Sequence, residues 1–452
     1  MRDENAVMIP LLTPEEVRAI DAAATEPVEV LIGRAGAAVA GEAIDLLGGA
    51  YGRRIVVVAG KGNNGNDGRE AARLLRRRGA RVDIVDAESC PPVLPPSDLV
   101  IDAAYGIGFR GTWDAPSPGG APVLAVDIVS GVDAITGSAG DSTFHAERTV
   151  TFAGAKPGHV LGRGAEVSGE VVVADIGLDA SISRTWLLED GDVATLLPER
   201  RRDTHKWRSA VWVVAGSPGM TGAATLASRG AQRAGAGYVR LSTPGGDAGE
   251  GVPVETVATP LPATGWATEV LDGLGRFRAC VVGPGLGRNS DDDVRGLVAA
   301  AEIPLVVDGD GLTALGTDVV NLAQSTTVLT PHDGEFERLA GKAPDDDRIG
   351  SARTLAAAAG CTVLLKGPTT VVANPAGDVR VVTAGDARLA SAGTGDVLSG
   401  VIAAFLAAGM DAIDAAACAA HVHGLAGRAG PDRGLVAGDV ADNLPAVLAA
   451  IG

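Results

Sequence analysis

Short runs of β-branched and aliphatic residues recur along this chain, and most close on a glycine-bearing turn that opens a helical pattern. That alternation admits few architectures. Neighbouring parallel strands need a crossover, and a helix is the usual one, so the pattern predicts parallel sheets covered by helices. In the first half, strands are expected at 54–59, 82–86, 99–102, 123–127, 149–152 and 171–175, with helices at 13–24, 33–47 and 69–78. Thr13 followed by Glu16 reads as a capping box. In the second half, strands are expected at 210–215, 239–242, 279–283, 304–308, 327–330 and 362–366. The runs 370–373 and 379–383 flank Asn374-Pro375-Ala376-Gly377 as a hairpin, and a helix is expected at 397–410.

A chain of 452 residues exceeds one ordinary core. The strands pause over the polar stretch 189–206, which holds Pro198 and the run Glu199-Arg200-Arg201-Arg202-Asp203. That stretch reads as a linker, its basic run either a solvated segment or a phosphate-binding patch. The fold class is therefore α/β, with two different doubly wound domains at 1–190 and 200–452. A net charge of −18 argues against nonspecific nucleic-acid binding and anionic membrane surfaces. Cys90, Cys280, Cys361 and Cys418 are scattered without a CxxC pair, which argues against a zinc or disulfide framework. No signal peptide or apolar run of spanning length is seen, and the N-terminus MRDENAVMIP is short and charged, so a cytoplasmic protein is expected.

Two groups of motifs carry chemistry. The first opens with Gly60-Lys61-Gly62-Asn63-Asn64-Gly65-Asn66-Asp67-Gly68 after a strand. Its first six residues match G-x-G-x-x-G, and Asp86 follows about twenty residues on, as in a dinucleotide fingerprint. A structural glycine turn is the alternative, and the lack of Gly-Lys-Ser/Thr excludes a Walker loop. The fingerprint does not need amides and a carboxylate packed into the turn; those suit a cation or sugar hydroxyls. Asp102, before Ala103-Ala104-Tyr105-Gly106-Ile107-Gly108, and Asp127, before Ile128-Val129-Ser130-Gly131, stand at two further strand ends. Each alone is a strand cap or a site residue. Three polar strand ends, each followed by glycine, favour a site, because ligands of open α/β sheets bind at the carboxyl ends of strands.

This ordered set, continued by Lys156-Pro157-Gly158 and by Val172-Val173-Ala174-Asp175-Ile176-Gly177, resembles the YjeF N-terminal domain, the NAD(P)H-hydrate epimerases, over about residues 10–180. The resemblance implies a Rossmann-like sandwich. It implies potassium (K+) on Asn64, Asp102 and Ser130, with Asp102 also catalytic. It implies hydrated nucleotide on Asn63, Asn64, Gly65, Asn66, Asp67, Gly106, Ile107, Gly108, Phe109, Arg110, Gly111, Thr112 and Asp127. Asn66 stands where the family usually has glycine, and Val129 where it usually has proline.

The second group is four glycine-rich strand ends: Gly216-Ser217-Pro218-Gly219-Met220-Thr221-Gly222-Ala223, Gly283-Pro284-Gly285-Leu286-Gly287, Lys366-Gly367-Pro368-Thr369-Thr370 and Gly393-Thr394-Gly395-Asp396. Singly, such turns are commonplace. The last runs into an apolar helix, whose free N–H groups suit a phosphate, and Asp396 at its mouth suits a base that deprotonates an attacking hydroxyl. His332 is a ligand contact or a structural histidine. Asp308 and Asp310 read as helix caps, with magnesium held through water as the alternative. His421 and His423, two apart on a helix, make poor metal partners.

Pro331-His332-Asp333-Gly334-Glu335 and the stretch 392–400, in this order, resemble the ribokinase-like fold and more narrowly the YjeF C-terminal domain, the ADP-dependent NAD(P)H-hydrate dehydratases, over about 200–450. By that resemblance Ala223, Gly287, His332 and Asp396 contact the hydrated nucleotide. Lys366, Gly367, Pro368, Thr369, Thr370 and Gly395 hold the adenine nucleotide, with Mg2+ and ADP as cofactors, and Asp396 is the acid/base. Trp207 stands where the family tends to have glycine. The implied partners are hydrated NADH or NADPH and ADP/AMP, in a homo-oligomer. The implied function is repair: one domain interconverts the R and S hydrates, and the other dehydrates the S form as ADP becomes AMP and phosphate. A ribokinase-type vitamin kinase, or a first half that only binds nucleotide, are the competing readings.

Overall fold

The computed structural model describes residues 8–200, 202–246, 252–319 and 326–452. Arg201 of the basic run and the first seven residues of the N-terminal segment lie outside the described residues. The chain divides into two compact units, Ile9–Thr185 and Trp186–Gly452.

The first unit holds six parallel strands in the order Arg81–Asp86, Arg54–Ala59, Leu99–Ala103, Val123–Val126, Arg148–Phe152, Glu170–Ala174. Leu99–Ala103 and Val123–Val126 are buried throughout, whereas Arg81–Asp86 at one edge is largely exposed or half-buried. Burial on both faces explains the unbroken apolar runs of the central strands. Helix Pro14–Ala23 starts on the expected capping box, with the Thr13 side chain accepting from Glu16 N at 3.2 Å and Glu16 accepting from Thr13 N at 2.8 Å. The strand order reverses between Arg54–Ala59 and Leu99–Ala103, and that reversal opens a crevice at the carboxyl ends of both strands.

In the second unit, nine successive strands of the larger sheet follow the order Val379–Val382, Thr370–Ala373, Thr362–Leu365, Val328–Leu329, Leu305–Val307, Ala279–Val282, Ala210–Val214, Tyr238–Ser242, Val257–Ala258, with strand Thr185–Leu187 next beyond Val379–Val382. All neighbours pair in parallel except those within and beside the hairpin. The reversal lies between Ala210–Val214 and Ala279–Val282. Helix Thr394–Ala407 is buried along almost its whole length and lies against helix Thr221–Arg233. Their backbones nearly touch: a Cβ on Gly400 would stand 2.0 Å from the Ala227 carbonyl oxygen, and one on Gly230 would stand 2.3 Å from that of Val397.

Three expectations need correction. The stretch read as a linker contains helix Asp190–Leu196, whose Asp190 carboxylate meets His421 Nε2 at 2.6 Å. Its start is capped by Asp192 accepting from Glu189 N, a polar cluster that reads as solvated until its partners are known. Helix Asn63–Arg77 begins six residues before the expected helix, and Thr394–Ala407 begins three before. In both, glycines and polar residues make up the first turn, and helix propensity alone places such residues in a loop. Asp308 and Asp310 are not side-chain caps; Gly309, at φ 56°, is the N-cap of helix Asp310–Leu315, and both carboxylates are used elsewhere.

Candidate functional site

In the first unit a cavity of about 730 Å³ opens at the strand-order reversal. Asn63, Asn64, Asp67, Gly106, Ile107, Gly108, Phe109 and Asp127 line it, joined by Asp21 and Lys156. Gly65, Asn66, Arg110, Gly111 and Thr112 are not among the lining residues. Gly65 is a packing residue: a Cβ there would stand 1.9 Å from the Gly60 carbonyl oxygen. Asn66 lies inside the helix without positive φ, so no conformational demand for glycine exists there. Asp86 accepts from Glu88 N at 2.9 Å and lies outside the lining, so the dinucleotide-fingerprint reading of that acid is not supported.

Asp102 is fully buried and is not among the residues lining the cavity. It accepts from Ser130 Oγ at 2.6 Å, Ser130 N at 2.8 Å and Ala104 N at 3.3 Å. Burial pushes its carboxyl up to about 6 against the pull of those hydrogen bonds. Tyr105 N donates in turn to Ser130 Oγ at 2.8 Å. Asn64 lies over Gly106, a Cβ on which would be 3.5 Å from the Asn64 Cγ, and both polar atoms of its buried amide lack a protein partner. A buried amide oxygen without a donor is costly unless something else takes it up. Together with the oxygens of Ser130 and Asp102 it makes a hard donor set that fits a monovalent cation.

Asp127 has a left-handed backbone, φ 63°. Lys156, 1% exposed, holds its Oδ1 at 2.5 Å and also donates to Thr151 Oγ1 at 2.6 Å. His159 Nδ1 accepts from Lys156 N, so its Nε2 carries the hydrogen and donates to the Asp127 carbonyl at 2.9 Å. Burial, then the Lys156 charge, push this imidazole down to about 4, so it is neutral. Asp67 and Asp21 carry no such partners. Burial, then Asp127 and Asp21, push Asp67 up to about 8, and burial raises Asp21 in the same direction. Sequence reading missed Asp21, Lys156 and His159 as site residues; the quoted Lys156-Pro157-Gly158 motif was the available signal.

In the second unit the carboxyl ends of the strands gather the other set. Lys366, after strand Thr362–Leu365, contacts Asp308 Oδ1 at 2.7 Å, and Glu335 lies 4.0 Å away. Ser399 Oγ donates to Asp308 Oδ2 at 2.7 Å. Burial alone would raise Asp308 and lower Lys366, but their mutual attraction reverses both directions. Gly395 sits above this pair: a Cβ on it would meet Lys366 Nζ at 3.3 Å. Asp396, one residue on, is pushed up to about 7 by burial and by Asp308, against Lys366. Its helix has Gly393 (φ 91°) as N-cap and no side-chain cap; Thr394 N donates to the Ser391 carbonyl at 3.5 Å, and the N–H groups of Gly395 and Asp396 are left for a ligand.

Across the strand-order reversal, Gly287 N donates to Asp310 Oδ2 at 2.9 Å, and a Cβ on Gly285 would lie 3.1 Å from the Ala223 Cβ. His332 caps helix Asp333–Ala340, accepting from Gly334 N at 3.0 Å through Nδ1, while Glu335 accepts from His332 N at 2.9 Å. Its Nε2 lies 3.5 Å from Glu335, and the side chain stays 57% exposed, which leaves the ring open to a ligand. Arg348 donates to the Lys366 carbonyl at 2.8 Å and pairs with Asp333, which holds the start of the segment Lys366, Gly367, Pro368, Thr369 and Thr370. Sequence reading missed Glu335, Ser399 and Arg348. No three His, Cys, Asp or Glu side chains converge to cage a metal among the described residues.

Residues 211–448 match the family model described as NAD(P)H-hydrate dehydratase, and residues 28–93 and 85–158 match that of the YjeF-related protein N-terminus. The chain is 40% identical to the bifunctional NAD(P)H-hydrate repair enzyme Nnr of Mycobacterium tuberculosis (strain CDC 1551 / Oshkosh), over 82% of each protein. It is 34% identical to that of Salinibacter ruber, over 99% of this chain and 97% of the relative. Among solved structures, an ADP/ATP-dependent NAD(P)H-hydrate dehydratase from Bacillus subtilis, co-crystallised with ATP/Mg2+, matches 58% of this chain and 98% of its own at 31% identity and TM-score 0.51. A ribokinase-like superfamily protein from Enterococcus faecalis has TM-score 0.54 at 22% identity, covering 60% of this chain and 97% of that one, a likeness of fold.

Proposed function

Because the chain belongs to the family of bifunctional NAD(P)H-hydrate repair enzymes, we propose that the unit Ile9–Thr185 is its epimerase domain and the unit Trp186–Gly452 its ADP-dependent dehydratase domain. The first interconverts the R and S hydrates of NADH or NADPH. The second returns the S hydrate to NAD(P)H as ADP becomes AMP and phosphate.

One observation carries the second assignment: a carboxyl poised near neutrality, Asp396, sits at an uncapped helix start beside the buried Lys366–Asp308 pair. Asp396 takes the proton from the hydroxyl at ring carbon 6, and the oxygen attacks the terminal phosphoryl group of ADP, releasing AMP. Free N–H groups of Gly395 and Asp396 and the Lys366 ammonium meet the charge that develops. Phosphate, a better leaving group than hydroxide, then departs with the carbon–oxygen bond. A neighbouring ring proton is lost, and the reduced nicotinamide is restored. Lys366, Gly367, Pro368, Thr369, Thr370 and Gly395 bind the adenine nucleotide; Ala223, Gly287 and His332 bind the hydrate. Mg2+ comes on the nucleotide phosphates, in keeping with its preference for one or two carboxylates plus phosphate oxygens.

In the epimerase domain, Asn63, Asn64, Asp67, Asp127 and the segment 106–109 contact the hydrated nucleotide. Asn64, Asp102 and Ser130 would hold K+, whose positive charge would offset that of the Asp102 carboxylate. Asp102, fully buried and not among the residues lining the cavity, would act through that cation. Cys90, Cys280, Cys361 and Cys418 are free thiols, consistent with work in a reducing cytoplasm. No helix among the described residues is long and apolar enough to cross a membrane. A closed homo-oligomer is the expected assembly, readable by light scattering.

The test is recovery of reduced-nicotinamide absorbance from a mixture of both NADH hydrate epimers, with magnesium, potassium, and ADP, ATP or neither. Complete ADP-dependent recovery, faster than spontaneous epimerisation, is expected. Recovery that halts at the S fraction removes the epimerase assignment; accumulation of a stable phosphorylated product replaces the dehydratase with a kinase.

A further inference from the structure

We infer that His423 is a positioning residue for the dehydratase reaction, tethering the first turn of the helix that carries Asp396. The inference rests on the dehydratase reading above. His423 lies on helix Ala412–Arg428, is 6% exposed, and its Nε2 is 2.9 Å from the Thr394 carbonyl oxygen. A carbonyl only accepts, so Nε2 carries the hydrogen. Burial, reinforced by the Lys366 charge and opposed by this hydrogen bond, pushes the imidazole down to about 4. The ring is therefore neutral wherever the enzyme works, and its job is to donate.

The tethered turn needs external fixing. Gly393 provides no side-chain cap for the N–H groups of the first turn. Thr394 Oγ1 donates to the carbonyls of Leu389 at 2.8 Å and Ser391 at 2.9 Å, and Ser399 Oγ reaches both the Gly395 carbonyl at 3.0 Å and Asp308 at 2.7 Å. Those bonds come from the segment before the helix and from the helix itself. His423 adds a donor from a different helix. That helix is held against the chain before the turn: a Cβ on Gly424 would stand 2.6 Å from the Ala384 carbonyl carbon. A rigid neighbour thus sets where Thr394 sits, and with it Gly395 over Lys366 and the carboxyl of Asp396. Groups that stabilise charge only in the transition state lose most of their effect when displaced by about 1 Å.

A merely structural histidine makes a different forecast from a tether. His423→Leu keeps bulk and removes the donor. Gln places an amide N–H near the lost Nε2–H, whereas the shorter Asn does not reach. Expected for His423→Leu and His423→Asn is a fall in kcat of ADP-dependent dehydration of about 10- to 100-fold, with KM for ADP nearly unchanged. His423→Gln should recover most of kcat, and melting curves should place all three in the folded range. Equal kcat in the folded Gln and Asn variants overturns the tether, as does wild-type kcat in His423→Leu. A wild-type chain without ADP-dependent dehydration sinks the functional reading instead. The tether is then judged by hydrogen exchange across 391–400, where Leu and Asn variants must exchange faster than wild type and Gln; identical exchange overturns it.

Discussion

Asp396 and Asp67 are both carboxyls held near neutrality by burial, yet they forecast opposite things. Asp396 must be ionised to take a proton, so dehydration should rise with pH through a midpoint near 7 and flatten above it. A rate independent of pH between 6 and 8 would remove it as the base. For Asp67 the consequence is stability. Its folded value, about 8, lies above the ordinary 3.8, so between those values the native state keeps a proton that the unfolded chain has released. Stability therefore falls as pH rises through that window, and the loss is complete above about 8. Asp67→Asn should raise the melting temperature of the first unit by about 4 °C or more at pH 8, with the gain vanishing near pH 4. Equal melting at pH 8 would contradict the buried charge. At this scale the motifs were legible, since most of the candidate site residues stand in glycine-rich strand ends. Lys156, Asp21 and Glu335 were not singled out, because a carboxylate or ammonium becomes a site group only through distant neighbours.

Strand positions were read within one or two residues, because strands buried on both faces must be continuously apolar. Helix starts were read less well. Asn63–Arg77 and Thr394–Ala407 both open on residues of poor helix propensity, kept there by what the exposed N–H groups face. The same helices carry the closest backbone approaches. Gly400 lies 2.0 Å, measured from the Cβ it lacks, from the Ala227 carbonyl, so Gly400→Ala must push helix Thr394–Ala407 away from helix Thr221–Arg233. The expected cost is about 2–3 kcal/mol in chemical denaturation, with dehydration lost before global unfolding as Asp396 moves. A neutral Gly400→Ala would show that the helices are not in register as described.

Each unit has its own strand-order reversal and its own candidate site, and in the proposed repair the product of the epimerase is the substrate of the dehydratase. Single substitutions should therefore separate the activities. Asp396→Asn should slow dehydration by about 100-fold or more while purified R hydrate still equilibrates with S, as followed by chromatography. Asn64→Leu should do the reverse: recovery from mixed hydrates stops near the S fraction, and the dependence on potassium over sodium disappears. Loss of both activities from either variant would contradict this independence. The sequence by itself determined the class of architecture, the presence of two different α/β folds and the motifs that mark each site, because strand periodicity and glycine turns are local properties. Only the tertiary structure decided which acids share a cavity, that Lys156 and Lys366 each hold an aspartate, that Asn64 is left unpartnered, and that His423 reaches Thr394. Those facts depend on distances between residues far apart in the chain, and burial, which sets their charge states, exists only once the core has formed.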